Sequence, residues 1–180
     1  SKKYKTSNLV GYNRRYYSII QKIKKKINTE NIISAHIEAH ERYWIIKKKV
    51  KQKSFLQNWT YANTSHVINL LLYLLGDFKR VISISNNKYK KNISVNNASI
   101  IEFKNKVYST FKSNWNVIGG WNIKIFTNKN TYILNPLENC KIINKKFEEK
   151  EVLSENYDNI YKKGFYLQSR LFINIIHKII

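Results

Sequence analysis

Four polar side chains, Ser34 and then His36, Glu38 and His40, fall on every second position of Ile33-Ser34-Ala35-His36-Ile37-Glu38-Ala39-His40. In a strand that spacing puts His36, Glu38 and His40 on one face and Ile33, Ala35, Ile37 and Ala39 on the other. Imidazoles beside a carboxylate are groups that transfer protons or ligate metals. The outer two, however, lie about 13 Å apart at ~3.3 Å per residue, so His36 and His40 cannot share one ion. No metal site is expected. The single cysteine, Cys140, excludes an intramolecular disulfide and any zinc site built on several thiolates. A further histidine, His66, follows Asn63-Thr64-Ser65, a run of good helix-capping residues, and so stands in the first turn of a helix. The positive end of that helix disfavours an imidazolium and keeps the ring neutral. Such a ring is either a group for proton transfer or a histidine satisfied by nearby backbone groups.

The elements that must carry these side chains can be read from periodicity. Asn13 can cap a helix from Arg14 to about Ile27, in which Tyr16, Ile20, Ile23 and Ile27 share one face. A strand follows over Asn31 to His40. Glu41 to Trp59 has mixed composition and reads as a loop holding a strand or helix fragment. From Asn63-Thr64-Ser65 the pattern is helical through Leu75, and Gly76 supplies the stop. Val67, Ile68, Leu70, Leu71, Leu72, Leu74 and Leu75 cover nearly its whole circumference, which predicts a helix buried between layers. The second half is strand-like at Val81–Ile84, Ala98–Phe103, Val107–Phe111, Trp121–Phe126, Thr131–Leu134 and Lys141–Ile143, punctuated by Asn105, Gly119-Gly120 and Asn128-Lys129-Asn130. Successive strands on short turns pair antiparallel. A closing amphipathic helix runs from Gly164 to Ile179. The predicted class is α+β, one large open and mainly antiparallel sheet with helices on one face. The other face is expected to meet a second copy and make a homo-oligomer.

The 180 residues suffice for one domain, and 43% hydrophobic content argues against disorder. The formal net charge of +22 raises nucleic acid as a partner. Yet Lys24-Lys25-Lys26, Lys47-Lys48-Lys49 and Lys90-Lys91 are scattered along the chain among Asn and Ile, as expected of a solvated surface. A basic nucleic-acid module, with its 13 tyrosines as stacking groups, is the third reading. The apolar run Val67 to Leu75 is too short to span a bilayer, and a cytoplasmic domain is expected. The opening Ser1-Lys2-Lys3-Tyr4 lacks a methionine, so part of a longer chain is expected.

Four segments resemble, in order, those of the glucose-fructose oxidoreductase and inositol dehydrogenase (Gfo/Idh/MocA) family. Val10-Gly11-Tyr12-Asn13-Arg14-Arg15-Tyr16-Tyr17 is similar to the segment that ends its dinucleotide domain and opens its catalytic one. Asn63-Thr64-Ser65-His66-Val67-Ile68-Asn69-Leu70-Leu71, with Leu74-Leu75-Gly76, resembles its helix bearing a catalytic histidine. Ile100 to Tyr108 has the form of its strand, turn, strand unit. Lys162-Lys163-Gly164-Phe165-Tyr166-Leu167-Gln168 resembles its last helix.

The resemblance implies that residues 1–12 are the remnant of a preceding Rossmann domain or linker, and that 13–180 form the C-terminal substrate-binding and oligomerisation domain. The parent would be a sugar or nucleotide-sugar dehydrogenase using NAD or NADP, with surface polysaccharide synthesis as its expected setting. No Gly-x-Gly-x-x-Gly follows a strand here, so the cofactor half lies outside this chain, which alone should bind neither nucleotide. His66 would be the catalytic acid-base group, with Asn63, His40 and Arg42 contacting substrate. The usual carboxylate positions around such a histidine are held by Ala62 and Asn69. Their loss favours the alternative of a non-catalytic sugar-binding or assembly relative.

Overall fold

The computed structural model describes residues 8–86 and 96–177; Lys90-Lys91 and the last residues of the expected closing helix lie outside them. The domain is α+β, built on one eight-stranded open sheet. Its strands are β1 (Ile32–Ala39), β2 (Phe78–Asn86), β3 (Asn96–Phe103), β4 (Tyr108–Asn114), β5 (Trp121–Thr127), β6 (Asn130–Leu134), β7 (Cys140–Asn144) and β8 (Glu149–Glu151). The helices are α1 (Ser18–Ile27), α2 (Tyr43–Lys49), α3 (Lys53–Gln57), α4 (Ser65–Leu75), α5 (Asn156–Ile160) and α6 (Phe165–Ile176). Leu9 to Tyr12 joins no strand of the sheet.

The spatial order is β2-β3-β4-β1-β5-β6-β7-β8. Antiparallel pairing of successive strands holds from β2 to β4 and from β5 to β8. It fails between β4 and β5, because β1 is inserted between them, parallel to β4 and antiparallel to β5. A parallel neighbour needs a long crossover, supplied here by everything from α2 to β3. The connection from β4 to β5 crosses the end of β1, where the His40 amide donates to the Gly120 carbonyl at 3.1 Å.

One sheet face carries the core. Ala35, Ile37, Phe103, Ile123, Ile125, Tyr132 and Leu134 are buried there against α1 and α4. Burial along α4 follows Val67, Leu70, Leu71, Leu74 and Leu75, the spacing of one helix face, while Ile68 and Leu72 are only half-buried. That is narrower than the enclosed helix its composition predicts: the opposite side of α4 is only partly covered by the described residues.

Both predicted caps are replaced. Asn13 opens a short 3₁₀ turn (Asn13–Tyr16), and its buried amide donates to the Lys163 carbonyl at 3.1 Å. The chain then breaks at Tyr17, and α1 begins on Asp158, whose carboxylate accepts from the Ser18 amide at 2.6 Å and the Gly164 amide at 2.9 Å. At α4 the run Asn63-Thr64-Ser65 is no cap, because a π turn (Thr60–Thr64) feeds straight into the helix. The mixed segment after β1 resolves into α2 and α3. Two lysine runs sit at the ends of α1 and α2, where the negative pole of each helix favours them.

Candidate functional site

Continuing the alternation of β1 past Ala39 puts residue 41 on the apolar phase, and residue 41 is a glutamate. Glu41 is buried, its amide held by the Asn114 carbonyl at 2.9 Å and its backbone bridged to Trp115. The π turn before α4 brings Asn63 to it, and the Asn63 amide donates to Glu41 Oε1 at 2.9 Å. Single π turns are frequent at functional sites. From the other side the 3₁₀ turn delivers Arg14, whose guanidinium lies 4.1 Å over the Trp121 ring.

These groups line a cleft of about 300 Å³. His40, Arg42, Trp59 and Glu138 complete its polar and aromatic wall. Burial pushes the Glu41 carboxyl above its ordinary range, and the Asn63 amide, the indoles of Trp59 and Trp121 and the Arg14 charge pull it back without offsetting burial. The Trp59 indole lies close enough to favour the Glu41 carboxylate, but its Nε1 falls short of a hydrogen bond, and Arg14 Nε is likewise buried without a partner. Burial also lowers the Arg14 guanidinium, against the nearby Tyr17, Glu138 and Glu41. A buried carboxyl that resists ionisation, set in a cleft beside arginine and indole, is suited to hydrogen-bonding hydroxyl-rich ligands.

His40 Nδ1 accepts from the Asn114 amide at 3.1 Å, which leaves the proton of the neutral ring on Nε2, directed at Glu38 Oε1 3.6 Å away. Glu38 is held below the ordinary carboxylate range, first by the Asn122 amide at 2.8 Å and then by the neighbouring His40 and His36, against the cost of its partial burial. A side chain at Gly119 would come within 3.1 Å of the His40 ring, so glycine there lets the loop close on it. Among the described residues no cluster of His, Cys, Asp and Glu could hold a metal ion.

The fold thus brings His40, Arg42 and Asn63 together in one cleft but leaves His66 outside its wall. His66 lies in the first turn of α4, edge-on to Tyr12 with ring centroids 5.3 Å apart. Its Nδ1 is buried with no hydrogen-bond partner, so the reading in which backbone groups satisfy it fails at this atom. Burial, then the charge of Arg14, lowers the His66 pKa and keeps the ring neutral. Arg14 therefore borders the cleft and is close enough to His66 for its charge to act there. Ala62 offers no polar group, and Asn69 is engaged by Arg15 Nε at 2.9 Å. Sequence reasoning missed Glu41, Arg14, Trp121 and Glu138. Only Glu41 carried a signal, as a charge in the apolar phase of β1.

No family model matches the sequence, and no curated protein matches it. Solved structures do share the fold. A candidate NADPH-dependent oxidoreductase from Desulfitobacterium hafniense superposes with a TM-score of 0.77 at 15% identity, over 98% of this chain and 57% of its own. UDP-N-acetylglucosamine 3-dehydrogenase from Acidithiobacillus ferrooxidans gives 0.70 at 14%, over 93% of this chain and 52% of its own. Levoglucosan dehydrogenase with NADH and levoglucosan gives 0.63 at 13%, over 83% and 47%. The chain has the fold found in part of these oxidoreductases, and it spans only about half of their length.

Proposed function

We propose that this chain is the C-terminal, substrate-side domain of an NAD(P)-dependent sugar or nucleotide-sugar oxidoreductase of the Gfo/Idh/MocA type, with residues 1–12 leading out of a preceding Rossmann domain. The observation that carries the reading is the juxtaposition, on a fold shared with sugar and nucleotide-sugar dehydrogenases over 83 and 93% of the chain, of the Arg14–Glu41–Asn63–Trp121 cleft with His66, whose pKa is lowered and whose Nδ1 is buried without a partner. Cleft groups would hold sugar hydroxyls and His66 would exchange the proton of the reacting one. The residues present do not fit a dinucleotide: the glycines occur singly or at the Gly119-Gly120 turn, which closes on His40, and none forms a phosphate-cradling loop. NAD or NADP is therefore assigned to the preceding domain.

The test is the full-length gene product. Its upstream coding sequence should contain Gly-x-Gly-x-x-Gly, and His66→Ala should lower turnover by roughly a hundredfold or more with cofactor binding unchanged. Full activity of that variant would remove the catalytic assignment. A second reading, a non-catalytic sugar-binding or assembly relative, is favoured by Ala62 and by the engagement of Asn69 with Arg15, which leave no group to orient the imidazole. It predicts sugar binding without turnover in the same full-length protein.

A further inference from the structure

At the β8 edge of the sheet the pattern that builds the core is broken. Along β7 the core side carries Cys140 and Ile142, both buried. Directly opposed residues of an antiparallel pair point to the same face, and Ile142 is opposed by Lys150. β8 therefore sets a lysine in the phase that its neighbour fills with Cys and Ile. β8 is also only three residues long and ends the sheet, so among the described residues no further strand fills the space beside α1.

The result is a hollow of about 450 Å³ between α1 and this edge, larger than the cleft and sharing no residue with it. Its floor is aliphatic. Ile23 and Ile142 are buried there, and Val152 and Leu153 wall it, with Leu153 71% exposed at the lip. Among the described residues no aromatic ring lines it. Lys22, Lys25, Lys26 and Lys150 stand around it, against one acid, Glu151. Lys22 is already paired with Glu155 and donates to the Leu153 carbonyl at 2.9 Å. Among the described residues Lys25, Lys26 and Lys150 enter no ion pair.

The two halves of this arrangement specify two halves of a ligand. Ammonium groups beside a low-dielectric wall focus a positive potential that recruits an anion. An aliphatic floor with no ring to stack on suits an alkyl chain rather than a nucleobase. The volume lies within the range of small-molecule sites. We propose that the hollow between α1 and β8 binds a single-chain anionic amphiphile of the fatty carboxylate class. Its chain lies on Ile23, Ile142, Val152 and Leu153, and its carboxylate sits among Lys25, Lys26 and Lys150. The site is independent of the cleft, so neither reading falls with the other.

Calorimetric titration of this protein with octanoate, decanoate and dodecanoate, each below its micelle-forming concentration, tests the site. Affinity should rise on the order of tenfold for each added pair of buried methylenes. Decanol should bind at least about tenfold more weakly than decanoate, having the chain without the charge. Lys25→Gln/Lys26→Gln/Lys150→Gln should erase that preference for the carboxylate while leaving the melting temperature unchanged, since all three side chains are exposed. Equal affinity for decanol and decanoate, or an undiminished preference in the triple variant, would remove the lysines from recognition and overturn the proposal. Affinity independent of chain length would overturn it too, by removing the aliphatic floor. If vesicles of phosphatidylglycerol bind through these lysines but free decanoate does not, a membrane surface is the occupant and the proposal fails.

Discussion

Glu41 concentrates the chemistry of the cleft because it is a carboxyl on the wrong phase of its strand. Burial raises its folded pKa above the unfolded value, so the neutral acid is the form the fold prefers. The sign of the linkage follows. Stability from the neutral form is fully present below the unfolded carboxylate pKa and is lost as pH rises through the folded one. Glu41→Gln keeps an oxygen to accept from Asn63 and cannot ionise. The variant should gain stability over the parent as pH rises from about 4 to 8, read as a widening difference in melting temperature. A constant difference across that range would mean that folding leaves the Glu41 pKa unshifted. Arg14, poised over Trp121, favours the charged form of Glu41 and the neutral form of His66.

At the scale of elements, α4 joins stability to the site. Its buried face holds the core while the π turn at its start aims Asn63 at Glu41 and its first turn presents His66. Leu71 and Leu74 are at most 1% exposed. Leu71→Ala or Leu74→Ala should cost about 2 to 5 kcal/mol in chemical denaturation, from lost transfer energy and the cavity left behind. A loss below about 1 kcal/mol at both would mean that α4 can be lifted from the sheet without cost. Short α2 and α3 bury almost nothing, and α2 closes one side of the cleft with Ile45 and Ile46, next to Trp59.

For the whole molecule, the uncovered sheet face matters most. Ile82 pairs beside Ile100 and Ile84 beside Ala98, and Ile82, Ile84, Ile100 and Tyr108 are 54, 78, 57 and 56% exposed. Packing of two such faces would cover them, and we expect the chain to self-associate through this surface. Ile100→Lys should convert the oligomer to monomer in sedimentation, because each two-fold interface would bury the introduced charge twice. An unchanged sedimentation coefficient would place the contact elsewhere. Among the described residues no helix is long and apolar enough to cross a membrane.

What the sequence determined by itself was periodic. Alternation at residues 33–40, helical spacing at 67–75 and turn residues between strands are local signals, so β1, α4, the later strands and the α+β class could be read directly. Pairwise order was not local. β1 enters between β4 and β5 because of a crossover more than sixty residues long, and nothing in the sequence of β1 marks its neighbours. The caps failed for the same reason: Asp158 reaches α1 from the far end of the chain, and Asn63 is drawn from capping to Glu41. His40, Arg42 and Asn63 were legible through family resemblance, whereas their partners Arg14, Trp121 and Glu138 are brought to them only by tertiary packing. A cleft is an arrangement of distant segments, and only the folded chain decides which side chains share its low-dielectric interior.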